Sequence, residues 1–182
     1  MWKPIACCLL AAAAVLAADA PASVARKVLD GDLTMVEREL VPLAEAMPSD
    51  KYDFAPSQGA FESVRTFGQQ VSHVAAVIYA CSAAVLGEKN PVDMGKNENG
   101  PASLRGKSDI VRFLKDSIAY GHKALATVTD ANVNDMVQSA FEDNRVARLY
   151  MANVLAWHSM DHYGQMVVYA RMNGIVPPAS RR

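Results

Sequence analysis

Three histidines stand where they could share one ion. Two of them, His158 and His162, lie four residues apart in the stretch "AWHSMDHYGQMVVYARMNG", which reads as one unbroken helix over residues 156–174. An α-helix advances about 100° per residue, so four residues carry the second ring only about 40° past one full turn. The two rings therefore stack on one face. Ala147, Met151, Val154, Gln165, Tyr169 and Met172 share that face, and their mostly apolar character turns it inward. A buried imidazole must stay neutral or be paired, and both its nitrogens need partners. Two arrangements meet that demand: a divalent metal ion bound by neutral imidazoles, or a separate hydrogen bond from each ring to a facing helix. The spacing alone leaves both open.

His73 adds weight to the metal. It sits in "RTFGQQVSHVAAVIYA", residues 65–80, on a face with Thr66, Gln69, Ala76, Val77, Ala80 and Ala84. Those side chains are small or mildly polar, so the face points inward and leaves room. Three histidine ligands leave one coordination position open, the arrangement found in catalytic zinc sites. A water in that position has its pKa lowered toward about 7. Metal-bound histidines usually carry a partner on the other ring nitrogen. Asp161, three residues after His158 and about 60° from its direction, is one candidate. Gln69, four before His73, and Gln165, three after His162, are the others. An ordinary boundary carboxylate is the competing reading of Asp161. His122, between Gly121 and Lys123 at the edge of an apolar stripe, reads as a boundary residue. Spacing supports no Ser-His-Asp or Cys-His arrangement. The segment "GKNENGPASLRGKS" lacks the spacing of a phosphate-binding loop and follows no strand.

The elements that must position these residues are helices. Leu29, Leu33, Val36, Leu40, Leu43 and Met47 form one stripe that ends at Pro48. An irregular connector follows. A second helix is expected from Ser63, as N-cap, to Leu86, with Gly87 as its stop. About twenty residues rich in Gly, Asn, Pro and Lys come next, either a lid over a site or a crossover along the bundle, with the crossover favoured. A third helix is expected over about 108–128, a short helical piece over 135–141, and a fourth long helix from Asp143 to Asn173, capped by Gly174. No strand pattern competes. The expected fold is all-α, a four-helix bundle with a long crossover between helices 2 and 3.

The 182 residues suit one domain, and 51% hydrophobic content suits a real core. A net charge of -1, from 18 basic and 19 acidic residues with no basic run, gives no footprint for nucleic acid. Lys3, an apolar run over residues 5–18 and small residues around 17–22 have the layout of a secretory signal peptide in residues 1–22, cleaved within about 17–22. The run is short for a membrane span of about 20 residues, and a retained anchor is the competing reading. The expected mature chain, 23–182, is exported to the periplasm or beyond and free of the membrane after cleavage. It keeps only Cys81, which can form no internal disulfide and reads as a buried small hydrophobe.

His73, the stretch "HSMDHYGQ" (158–165), the closing "RMNGIVPP" (171–178) and the connector "KYDFAP" (51–56) resemble the DinB/YfiT-like family of metalloenzymes. The resemblance implies a four-helix bundle with a long crossover, one metal-binding histidine in the second helix and H-x3-H in the fourth, commonly followed by Arg-Gly-Gln. Carried over, it implies that His73, His158 and His162 are the metal ligands; imidazole chemistry makes a divalent ion, zinc or nickel, the expected occupant. Gly164 and Gln165 match the family, whereas Tyr163 stands where arginine is common, so no shared substrate contact is carried over there. Some relatives are thiol-dependent transferases or isomerases, and members often form homodimers. An exported location argues against a thiol found mainly in the cytoplasm. The expectation is an exported metal-dependent hydrolase or thiol-type transferase acting on a small molecule. A metal-binding module without catalysis and a helical interaction protein are the alternatives.

Overall fold

The computed structural model describes residues 23–181, and the leader read in residues 1–22 lies outside them. Four long helices make up most of it: α1 Val24–Ala46, α2 Phe67–Leu86, α3 Gly106–Leu125 and α4 Arg148–Met172. A small antiparallel hairpin, β1 Met136–Gln138 and β2 Arg145–Ala147, joins α3 to α4. The stripe Leu29, Leu33, Val36, Leu40, Leu43 and Met47 is buried along its whole length. Ser23 caps α1 by accepting from the Arg26 amide, and the Asp130 carboxylate accepts from the Val24 and Ala25 amides at 3.1 and 3.0 Å.

Cross-helix contacts set the directions. Arg148 reaches the Val85 carbonyl while Gln70 meets Gln165, so α2 and α4 run antiparallel. Asp30 meets His122 and Lys107 meets the Glu45 carbonyl, so α1 and α3 are antiparallel too. A β-carbon on Gly68 would touch Ile110, and one on Gly121 would touch Ile78, so α2 and α3 are parallel. Two consecutive parallel helices cannot be joined by a tight turn, because the chain must travel back along the bundle. That is the physical reason for the long segment after Gly87, and it makes the segment a crossover. α2 is the most enclosed of the four helices. It is long and apolar enough to cross a membrane by composition, yet most of it is buried inside the bundle.

Three boundaries differ from the sequence reading. α2 begins after Thr66 rather than Ser63, because Thr66 and Gln69 form a reciprocal capping box while Ser63 has a left-handed φ of 65°. Residues 135–141 contain β1 rather than a short helix, and α4 starts at Arg148 rather than Asp143. Here Val137 pairs with Val146, and Ser139 Oγ accepts from the Phe141 and Glu142 amides to shape the turn. Two three-residue arms are too short to show alternation in the sequence.

Gly121 marks the tightest point of the bundle. A β-carbon there would lie 2.9 Å from Leu33 Cδ2, 3.2 Å from Leu155 Cδ2 and 3.5 Å from Ile78 Cγ2, touching the other three helices at once. Gly121→Val should therefore lower unfolding stability by about 1–3 kcal/mol, against the small gain in helix propensity. Urea denaturation followed by circular dichroism measures it, and a stability equal to wild type would refute this packing.

Candidate metal centre

His73 projects from the second turn of α2, which is fixed from outside its own helix. The Phe67 and Gly68 amides donate to the Phe54 and Tyr52 carbonyls at 2.8 Å each, so the "KYDFAP" connector closes the helix terminus. The connector approaches so closely that a β-carbon on Gly68 would stand 3.2 Å from the Tyr52 carbonyl oxygen. His158 and His162 follow from α4, one turn apart as the spacing requires.

The three rings meet in the interior. Ring centres lie 5.0 Å apart for His73 and His158, 4.7 Å for His73 and His162, and 4.5 Å for His158 and His162. One nitrogen from each ring can be chosen so that all lie within 4.8 Å of one another. His73 Nε2 and His158 Nε2 are 3.2 Å apart. His73 and His162 are buried, and His158 is half-buried.

Hydrogen bonds on the outer nitrogens set the tautomers. His73 Nδ1 lies 2.9 Å from the Glu98 carbonyl oxygen, which can only accept, so Nδ1 carries the proton and Nε2 keeps a lone pair. A relay does the same for His162. The Asp161 carboxylate accepts from Gln165 Nε2 at 3.1 Å, Gln165 Oε1 accepts from Gln70 Nε2 at 3.1 Å, and Gln70 Oε1 accepts from His162 Nδ1 at 2.5 Å. Asp161 accepts only, so the direction of every donor in the chain follows from it. The Glu98 carbonyl is delivered by an unusual backbone. Asn97 and Glu98 have φ of 55° and 57°, both in the left-handed region that side-chain-bearing residues seldom adopt. Arg65 holds this turn by donating from Nε to Asn99 Oδ1 and from Nη2 to the Asn97 carbonyl, each at 2.8 Å.

Several sequence-derived partners fall elsewhere. Gln69 faces the helix terminus and completes the capping box with Thr66, so it is not beside an imidazole; its neighbour Gln70 is. Asp161 and Gln165 act on His162 through Gln70 rather than touching a ring. His158 Nδ1 is buried without a partner among the described residues, so Asp161 does not orient it. Burial and then the neighbouring Glu39 of α1 push the Tyr163 phenol up to about 12, so this side chain sits against α1, away from the centre. On the inward face of α4, Met151, Val154 and Tyr169 are buried, but Met172 at its end is exposed. His122 pairs with Asp30 at 2.6 Å and lies 3.6 Å from Glu37, bridging α3 to α1. Cys81 is buried, and burial, followed by the charge of Glu98, pushes its thiol up to about 12. The sequence carried a signal for Gln70: T-x-x-Q marks a capping box, which assigns Gln69 and leaves Gln70 as an unexplained amide at the start of an apolar helix.

The donor set fits a divalent ion. Two ligands on a tetrahedral zinc, with bonds of about 2.0–2.1 Å, stand about 3.3 Å apart, close to the 3.2 Å between His73 Nε2 and His158 Nε2. The rings are also held neutral. Burial pushes His158 down to about 3, helped by the neighbouring His162 and His73, and burial with the charges of His73 and Arg65 pushes His162 down to about 4. His73 is lowered, chiefly by burial. A cleft of about 550 Å³ lined by Arg65, Gln69, Gln70, Asn97, Asn99 and Gln165 opens beside these partners.

Comparison with known proteins agrees with this architecture. The family profile described as the DinB superfamily matches residues 32–166. A crystal structure of a DinB-like protein from Bacillus subtilis superposes with a TM-score of 0.62 at 15% identity, covering 85% of this chain and 99% of that one. A DinB-like protein from Bacillus cereus gives 0.64 at 15% identity, over 84% and 95%. A search of the curated proteins finds no match.

The imidazoles make the metal-free protein sensitive to acid in a defined window. Their folded pKa values lie below the ordinary value of about 6.5, so the unfolded chain takes up protons first as pH falls. Stability is full above pH about 6.5 and declines as pH drops toward the folded values of about 3 and about 4. Chelator-treated protein should lose melting temperature steadily from pH about 6.5 to about 5, above the carboxylate range. A flat profile there would contradict three imidazoles held neutral in the fold.

Proposed function

The chain belongs to the DinB superfamily, and we propose that it is an exported metal-dependent enzyme of the hydrolase or thiol-type transferase class, using His73, His158 and His162 to hold a divalent ion. The observation that carries this reading is the convergence of three neutral imidazoles, two with their outer nitrogens anchored to carbonyl oxygens and their inner lone pairs free. In the bare cluster His158 can donate from Nε2 to His73 Nε2 at 3.2 Å, but its buried Nδ1 is then a lone pair without a partner. A cation would accept the lone pairs of the inner nitrogens instead. When bound, the ion supplies Lewis acidity to whatever oxygen or sulfur group occupies the position the histidines leave open.

The protein's own residues divide the remaining work. Glu98, through its carbonyl, and Gln70 hold two rings in the ligating tautomer. Asp161 and Gln165 fix the polarity of Gln70. The bundle packs around the histidines on the core side, and the cleft at Arg65 and Asn99 reaches Gln70, the partner of His162. The leader-like residues 1–22 support export, and zinc and nickel are among the ions that imidazole ligands suit.

Purified protein loaded with zinc or nickel should bind one equivalent, and a chelator should lower its melting temperature at neutral pH. Metal content below about 0.1 equivalents after loading would remove the proposal. Gln70→Ala, which leaves the His162 outer nitrogen without an acceptor, should weaken metal binding about 10–100-fold. Gln69→Ala should lower helix stability by about 1 kcal/mol or less and leave metal affinity unchanged. Calorimetric titration of both variants separates the two glutamines. In a screen of ester, amide and thiol substrates, turnover by His158→Ala equal to wild type would count against metal catalysis.

A further inference from the structure

The cleft beside the histidines contains a cation that no carboxylate in the described residues neutralises. Arg65 immediately precedes the α2 cap and is half-buried. It makes none of the ion pairs found among the described residues. Its Nε and Nη2 are committed to Asn99 and Asn97, which fix the plane of the guanidinium, while Nη1 has no protein acceptor among the described residues. The group is therefore oriented with part of its donor fork unused.

The helix terminus next to it offers no substitute. The amides of Phe67 and Gly68 are consumed by connector carbonyls, and that of Gln69 by Thr66 Oγ1. The rest of the cleft wall is neutral amide: Gln69, Gln70, Asn97, Asn99 and Gln165. Behind it, three neutral imidazoles bring no negative charge to offset a divalent ion. The Glu98 carboxylate, the acid nearest His73, is 4.0 Å from Nδ1 and 48% exposed. The cleft wall touches the centre at two points: Gln70 bonds His162 Nδ1, and the turn that Arg65 holds at Asn97 presents the Glu98 carbonyl to His73 Nδ1.

We propose that Arg65 is the anchor for the carboxylate of a small anionic substrate whose other end reaches the three-histidine centre. A carboxylate suits a single planar guanidinium among amides. A phosphate, with nearly two charges, calls for more cations than the cleft provides. The inference rests on the metal reading above and deepens it by naming the class of molecule the cleft selects.

The test uses the full mature chain loaded with cobalt, whose visible spectrum reports a thiol entering the open position. Short thiol acids, mercaptoacetate, 3-mercaptopropionate and 4-mercaptobutyrate, are each titrated against the matching thiol alcohol. Wild type should prefer at least one acid over its alcohol by about tenfold, the value of a charge-assisted hydrogen bond, and the preference should shrink as ionic strength rises. At saturating cobalt, which offsets any affinity lost through the Asn97 turn, Arg65→Gln should hold one equivalent and lose the preference, and Arg65→Lys should keep part of it. Full metal content with the same preference in Arg65→Gln would overturn this inference alone. Should that variant fail to fold, a wild-type preference absent or indifferent to salt would overturn it. Failure of wild type to bind cobalt would overturn both readings.

Discussion

The centre exists only because α2 and α4 are locked in one antiparallel register. His73 and His158 are 85 positions apart in the chain, yet their inner nitrogens are 3.2 Å apart. A slip of α2 by one turn along α4 would move His73 by about 5.4 Å and separate the rings beyond any shared ligand. Two contacts oppose such a slip. Gln70 joins Gln165 near one end, and Arg148 reaches the Val85 carbonyl near the other. Register here is a matter of close packing, since interiors tolerate little displacement before contacts are lost.

The same register makes the polar groups interdependent. Three imidazoles inside an apolar bundle are costly unless each nitrogen is satisfied. The structure answers with backbone on one side and side chains on the other. On the crossover side, a left-handed pair, Asn97 and Glu98, turns a carbonyl toward His73, and Arg65 steadies the turn. On the α4 side, an acceptor-only carboxylate polarises two amides in series toward His162. Backbone strain of this kind costs of order 1–3 kcal/mol per residue and persists only where the surroundings enforce it. Gly95 and Gly100 help enforce it, because their backbones approach so closely that a β-carbon on Gly95 would overlap the Gly100 carbonyl.

One segment thus serves two ends. The crossover is long because α2 and α3 run parallel, and its path brings it back across the face of α2 that carries His73. A topological necessity has placed flexible-looking sequence, rich in Gly and Asn, where it can be shaped into a wall. The wall supplies a carbonyl to the centre and amides to the cleft, while its anchor, Arg65, belongs to both. Chemistry at the centre and order in the crossover are therefore coupled through a single side chain.

Much of this was legible in the sequence. Periodicity placed four helices, and the four-residue spacing put His158 and His162 on one face, because helix geometry is local and repeats every 3.6 residues. The small residues around His73 marked its helix as a packed one. What remained hidden was non-local or too short to be periodic. The hairpin at Met136–Gln138 and Arg145–Ala147 spans three residues per arm, below the length at which alternation declares itself. The exchange of Gln69 for Gln70 turned on where α2 begins, a boundary decided by a capping box and by the connector's carbonyls. Glu98 entered through its backbone, which no side-chain pattern can announce. The sequence by itself determined which faces are apolar and which residues can ligate. Only the tertiary structure decided which of them meet, because the distance between two helices depends on packing across the whole bundle and not on any one segment's composition.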